Sequence, residues 1–184
     1  MTLRSDVAEL LAGAGILDVD VDEAVADEHV RSSAYRRVVS AVVSSRSRER
    51  DHATVATILR DPVEVVSKSA VVDLVDRMAM EVTGLEAFRQ WAAELLPECD
   101  RFKAEGNREF VRRRMSDWLF YLSVMEGHLP TSAELAKVTR WMQRTLAEGA
   151  TPSAVLALLA ESGSSRKIRN IARNRAGSRK PRRQ

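Results

Sequence analysis

Cysteine is almost missing: Cys99 is the single one in 184 residues, so no disulfide can form within the chain and a disulfide-stapled fold is excluded. Histidine is scarce as well. His29, His52 and His128 stand apart, and none falls in the H-E-x-x-H spacing that puts two metal ligands on one helix face. No G-x-x-x-x-G-K-[ST] loop is present to cradle phosphates. No apolar run approaches the roughly 18 to 20 residues of a membrane span, and the opening "MTLRSDVAELLAGAG" lacks the basic region and continuous apolar stretch of a secretory signal. These gaps predict a soluble, cytoplasmic, non-enzymatic protein with no membrane partner, no metal and no cofactor.

Strand signals are also lacking, whereas helix signals recur. In "LRDPVEVVSKSAVVDLVDRMAM", Asp61 reads as an N-cap, Pro62 as the first helical residue and Glu64 as a first-turn carboxylate. "TGLE" at Thr83 to Glu86 and "TSAE" at Thr131 to Glu134 fit capping boxes, and Thr151 with Pro152 opens another segment. Gly106, Gly127, Gly149 and Gly163 stand where left-handed C-terminal caps would end helices. The run "YRRVVSAVVSS" is rich in β-branched residues, yet Tyr35, Val38, Val39, Val42 and Val43 follow i, i+3, i+4, i+7, i+8 spacing and predict a buried helical stripe. Helices are expected at 3–13, 22–45, 50–60, 62–82, 84–96, 107–126, 131–148 and 151–162. The fold class is all-α: a multi-helix bundle of about seven to eight helices over residues 1–163, followed by a basic, disordered tail at 164–184.

Isolated features point away from catalysis. Asp18, Asp20 and Asp22 alternate like the start of a calcium loop, but position 6 holds no glycine and position 12 no closing glutamate, so an acidic lead into a helix is the reading. Cys99 in "PECDRF" has no histidine at hand and reads as a buried or incidental thiol rather than a nucleophile. In "EFVRRRMSDWLFYLSVME", Val111, Met115, Trp118, Leu119, Leu122 and Met125 share a helical face, which predicts a core helix with Trp118 inside. Phe120 and Tyr121 extend beyond that stripe, either under another helix or as a patch for a second copy. Arg112 to Arg114 read as a solvated face, because Glu105, Glu109 and Asp117 lie within helical pairing distance.

Two stretches carry family resemblances. "LRDPVEVVSKSAVVDL" resembles a HEAT-type helical hairpin through Leu59, Asp61, Pro62, Val66, Ala70 and Leu74. With no second copy near "PECDRFKAEGN", it implies a local hairpin rather than a solenoid. "LPTSAELAKVTRWMQRTL" resembles the opening of a bacterial winged helix-turn-helix repressor through Leu129, Pro130, Thr131, Glu134, Leu135 and Ala136. Lys137 to Leu146 offers no breaker, however, and one uninterrupted helix is the expectation there.

What is abundant lies at the end. "SSRKIRNIARNRAGSRKPRRQ" holds nine basic and no acidic residues, which against a net +3 leaves residues 1–163 at about −6. The nine are Arg166, Lys167, Arg169, Arg173, Arg175, Arg179, Lys180, Arg182 and Arg183. Ile168, Ile171 and Ala172 are interleaved among them, which suits a helix that forms only when phosphates neutralise its charges. Beyond Gly177 an extended chain is expected. The functional expectation is a nucleic-acid-binding protein, DNA before RNA, with the nine cations on phosphates and the body giving shape or homo-oligomerisation. The alternative is an assembly protein, capsid-like included, whose tail docks on an acidic partner.

Overall fold

The computed structural model describes residues 2–45, 48–149 and 151–178. Among them are eleven α-helices and no strand. The chain divides into two units, Met1–Met115 and Ser116–Gln184, and the boundary falls within α7.

The first unit holds α1 (Leu3–Gly13), α2 (Val21–Ala26), α3 (Glu28–Ser45), α4 (Arg48–Ile58), α5 (Glu64–Glu81), α6 (Leu85–Cys99) and the start of α7 (Glu105–Met125). The Val-rich stripe is helical as its spacing predicts, although Val43 is only half-buried. Tyr35, Val38, Val39 and Val42 are buried on α3, which packs against Val66, Ala70, Val71 and Leu74 of α5. α4 and α5 form the hairpin expected from "LRDPVEVV", but its start is different. α5 begins at Glu64 with Val63 at the N-cap, and Asp61 is turned inward instead of capping through Pro62.

The expected helix at 22–45 is broken. Asp27 adopts an extended conformation, and its Oδ1 accepts the backbone N–H groups of His29 and Val30 at 2.6 and 3.3 Å. An aspartate that bonds the following amides competes with helix continuation. Arg31 then reaches back to the Ala24 and Val25 carbonyls at 3.0 and 3.1 Å and so satisfies the end of α2. The "TGLE" box does not form either: Gly84 is the N-cap of α6, without a side-chain cap. Of the four expected left-handed glycine caps, Gly127 has φ of 103°. Gly106 lies inside α7, and Gly149 and Gly163 have negative φ.

The second unit holds the end of α7, then α8 (Ser132–Lys137), α9 (Arg140–Glu148), α10 (Ser153–Ser162) and α11 (Arg166–Ser178). Leu135, Met142, Leu146, Val155, Leu156 and Leu159 form its core together with Ile168 and Ala172 of α11. The Thr131/Glu134 capping box is formed as the sequence indicates. The expected single helix at 131–148 is two. Val138 and Thr139 are extended, Thr139 Oγ1 accepts the Met142 N–H at 3.2 Å, and Asp117 of α7 accepts both the Thr139 N–H at 3.1 Å and its hydroxyl.

The expected count of seven to eight helices therefore falls short by the breaks at Asp27 and Val138–Thr139 and by α11. Trp118 is buried as predicted, edge-on to Tyr121 at 5.2 Å and to Trp141 at 5.7 Å. Phe120 and Tyr121 are half-buried. No described helix is long and apolar enough to cross a membrane.

Candidate nucleic-acid interface

The basic segment is a packed helix over its described part. Ile168 and Ala172, one turn apart, are 2% and 0% exposed against α10 and α9. Burial of a side chain such as Ile168 contributes about 1.5 to 3 kcal/mol, which outweighs the dipole penalty of the cations in the first turn of α11. The disordered tail expected from residue 164 is therefore corrected for residues 166–178. Sequence reasoning treated the helix as conditional because it weighed the segment alone, without the α9 and α10 surface that receives it.

The same packing sorts the nine cations. Arg169 Nη1 donates to the Gly163 carbonyl at 2.7 Å, and Arg175 Nη2 donates to the Gly149 carbonyl at 2.9 Å. Both guanidinium groups thus satisfy carbonyls at the ends of α10 and α9, and both residues are half-buried. Arg166, Lys167 and Arg173 are exposed. Arg173 donates to Asn170 Oδ1 at 3.1 Å, and among the described residues no carboxylate lies within 4 Å of these three. Arg179, Lys180, Arg182 and Arg183 lie outside the described residues.

Charge follows the division into units. Ser116–Gln184 contains 12 Lys or Arg and 5 Asp or Glu, a formal +7, whereas Met1–Met115 contains 17 and 21, a formal −4. Lys137 and Arg140 add to the exposed positive set of the second unit, and Arg144 is exposed beside Glu148 at 2.7 Å. The tail reading missed these three: Lys137 ends α8, and Arg140 and Arg144 lie one turn apart on α9, beyond the break at Val138–Thr139. They lie in the stretch "KVTRWMQR", which offers no breaker and so predicts one uninterrupted helix.

Other candidates resolve into structural roles. Arg112 pairs with Asp100 at 2.6 Å and Arg114 with Asp76 at 3.6 Å, so both reach across to other segments. Asp18 and Asp22 pair with Arg37 and Arg4, and Asp20 caps α2. The Arg37 and Arg4 hydrogen bonds hold the Asp18 and Asp22 carboxyls below the ordinary range. Cys99 is buried, and desolvation pushes its thiol up to about 12, so it is protonated and a poor nucleophile at neutral pH.

Among the described residues no group of three or more His, Cys, Asp or Glu is placed to hold a metal. A cleft of about 320 Å³ between α1, α3 and α4 is lined by Leu10, Val38, Val42 and Ala53, with Glu9 and Arg50 as its charged members. No histidine or cysteine lines it. No protein-family model matches the chain, no curated protein is significantly similar to it, and no solved structure matches its fold.

Proposed function

We propose that the chain is a nucleic-acid-binding protein, with DNA preferred over RNA, whose Ser116–Gln184 unit grips phosphates. The observation that carries this reading is the segregation of charge, +7 against −4, with Arg166, Lys167 and Arg173 exposed on one packed helix. A cation in solvent without a carboxylate partner can meet a phosphate without first breaking an ion pair. Four more cations, Arg179, Lys180, Arg182 and Arg183, follow directly in sequence. Arg169 and Arg175 are assigned to the fold instead, since each already donates to a helix-end carbonyl.

Salt dependence tests the reading. Each phosphate neutralised on duplex DNA contributes about −0.9 to the slope of log K against log salt. Changing Arg166, Lys167 and Arg173 to Ala should reduce the steepness by about 3 and weaken all sequences alike. Arg169→Ala should change stability more than slope. A full chain whose binding shows no salt slope, or a triple variant with the parent's slope, would remove α11 as the grip.

A second reading, a self-assembling protein, is favoured by the same opposite charges, because the negative unit of one copy complements the positive unit of another. Nuclease treatment separates the two. A fall in the 260/280 nm absorbance ratio of the purified protein supports bound nucleic acid, and assemblies that survive nuclease at unchanged ratio support charge-driven association.

A further inference from the structure

α8 ends at Lys137 and α9 starts at Arg140, and side chains hold the turn between them on both sides. Asp117 accepts from the Thr139 N–H and hydroxyl. Gln143 Nε2 donates to the Leu135 and Val138 carbonyls at 2.9 and 3.2 Å, while its Oε1 accepts the Ser164 N–H at 2.8 Å. α9 is thereby pinned to α8 and to the start of α11. One of its faces is buried through Met142, Gln143, Leu146 and Ala147.

The opposite face carries Arg140, Trp141 and Arg144, with Lys137 just before them. Among the described residues no carboxylate lies within 4 Å of Lys137 or Arg140. Trp141 is 39% exposed even though its ring stands 5.7 Å from that of the buried Trp118. A large ring is thus held in place at a basic surface. α9 has no acidic residue in its first turn and begins with an arginine, the arrangement least suited to its dipole in water alone.

We infer that α9 lies in the major groove of B-form DNA, so that α8 and α9 act as a helix-turn-helix reader beside the phosphate grip of α11. This rests on the nucleic-acid reading above and deepens it from phosphate binding to base readout. Nine residues at 1.5 Å each make a rod about 13 Å long and roughly 10 to 12 Å across, which a groove about 12 Å wide admits. The deep, narrow major groove of A-form RNA does not admit it. A single-strand binder would present several aromatics along a groove, and Trp141 is the one exposed aromatic among the described residues of this unit. Arg140 and Arg144, one turn apart, can each donate in bidentate fashion to a guanine edge, with Arg144 exchanging Glu148 for the base. Trp141 between them supplies apolar contact, of the kind a thymine methyl accepts.

The test uses the full chain and a duplex selected from a randomised DNA pool. Binding to that duplex, to a scrambled duplex and to duplex RNA is compared for the parent, Arg140→Ala/Arg144→Ala and Arg140→Lys/Arg144→Lys. Both arginines are exposed, and melting curves check that the variants fold. The Ala variant should lose about tenfold or more of the preference for the selected duplex, and the Lys variant should keep scrambled-duplex affinity while losing that preference. Iodide quenching of tryptophan fluorescence should fall when the selected duplex is added, and Trp141→Phe should abolish that change. The inference is overturned if selection yields no preferred sequence, if both variants keep the parent's preference, or if duplex RNA binds as well as DNA. In those cases salt-dependent binding through α11 still stands, whereas a full chain that binds no nucleic acid overturns both readings.

Discussion

Arg31 and Asp61 are the clearest case of side chains whose roles are set by what surrounds them. Arg31 is 2% exposed and Asp61 is 7% exposed. Arg31 Nε donates to Asp61 Oδ2 at 2.7 Å, the Tyr35 hydroxyl donates to the same oxygen at 2.9 Å, and Asp61 Oδ1 accepts the Val63 N–H at 2.8 Å. The other end of Arg31 is spent on the α2 carbonyls. Burial, helped by the Asp61 charge, drives the Tyr35 phenol well above its ordinary value, so it remains a donor throughout the physiological range. Asp61→Ala should leave the guanidinium buried and uncompensated, at a cost of about 3 to 5 kcal/mol. Urea denaturation checks this, and a variant with an unchanged midpoint would mean that water reaches Arg31.

At the scale of elements, α11 is where charge and packing meet. Gly163 lets it turn back against α10. A Cβ at that position would stand 2.6 Å from the Leu159 carbonyl oxygen and 3.0 Å from Ile168 Cγ2, so only glycine permits this approach. Ile168 then fills the core of the unit and Arg175 closes the end of α9. Ile168→Ala should cost about 2 to 5 kcal/mol, as deletion of a buried isoleucine's atoms does. The expected observation is a lower melting temperature by circular dichroism. An unchanged melt would show that α11 undocks without consequence, and the segment would return to being a free basic arm.

For the whole molecule, the location of charge should count for more than its sum. Arg36, Arg89 and Arg101 are exposed in the acidic unit, and the last two pair with Glu86 and Glu98. Changing these three to Ala alters the net charge as much as changing Arg166, Lys167 and Arg173. Long-range attraction to a polyanion depends on the local field within about 10 Å at 0.1 M salt, the Debye length. Heparin-column retention and DNA affinity should therefore fall with the α11 triple variant and change little with the other. Equal losses would show that net charge alone governs binding.

Local chemistry was enough to specify much of this protein. The helical stripe of Tyr35, Val38, Val39 and Val42, the Thr131/Glu134 box, the buried Trp118 and Cys99, and the concentration of cations after residue 164 all depend on spacing and residue type within a few turns of chain. What needed the tertiary structure was every feature whose partner is distant. Thr139 ends one helix and starts another because Asp117, 22 residues earlier, accepts its amide and hydroxyl. Asp61 leaves its capping position for Arg31, 30 residues away. Arg169 and Arg175 become structural because Gly163 and Gly149 leave carbonyls open at helix ends, and Ile168 orders α11 because α9 and α10 offer it a dry surface. Periodicity determines which face of a segment is apolar. Whether that face finds a partner, and which polar groups are consumed on the way, is decided only when segments remote in the chain come together.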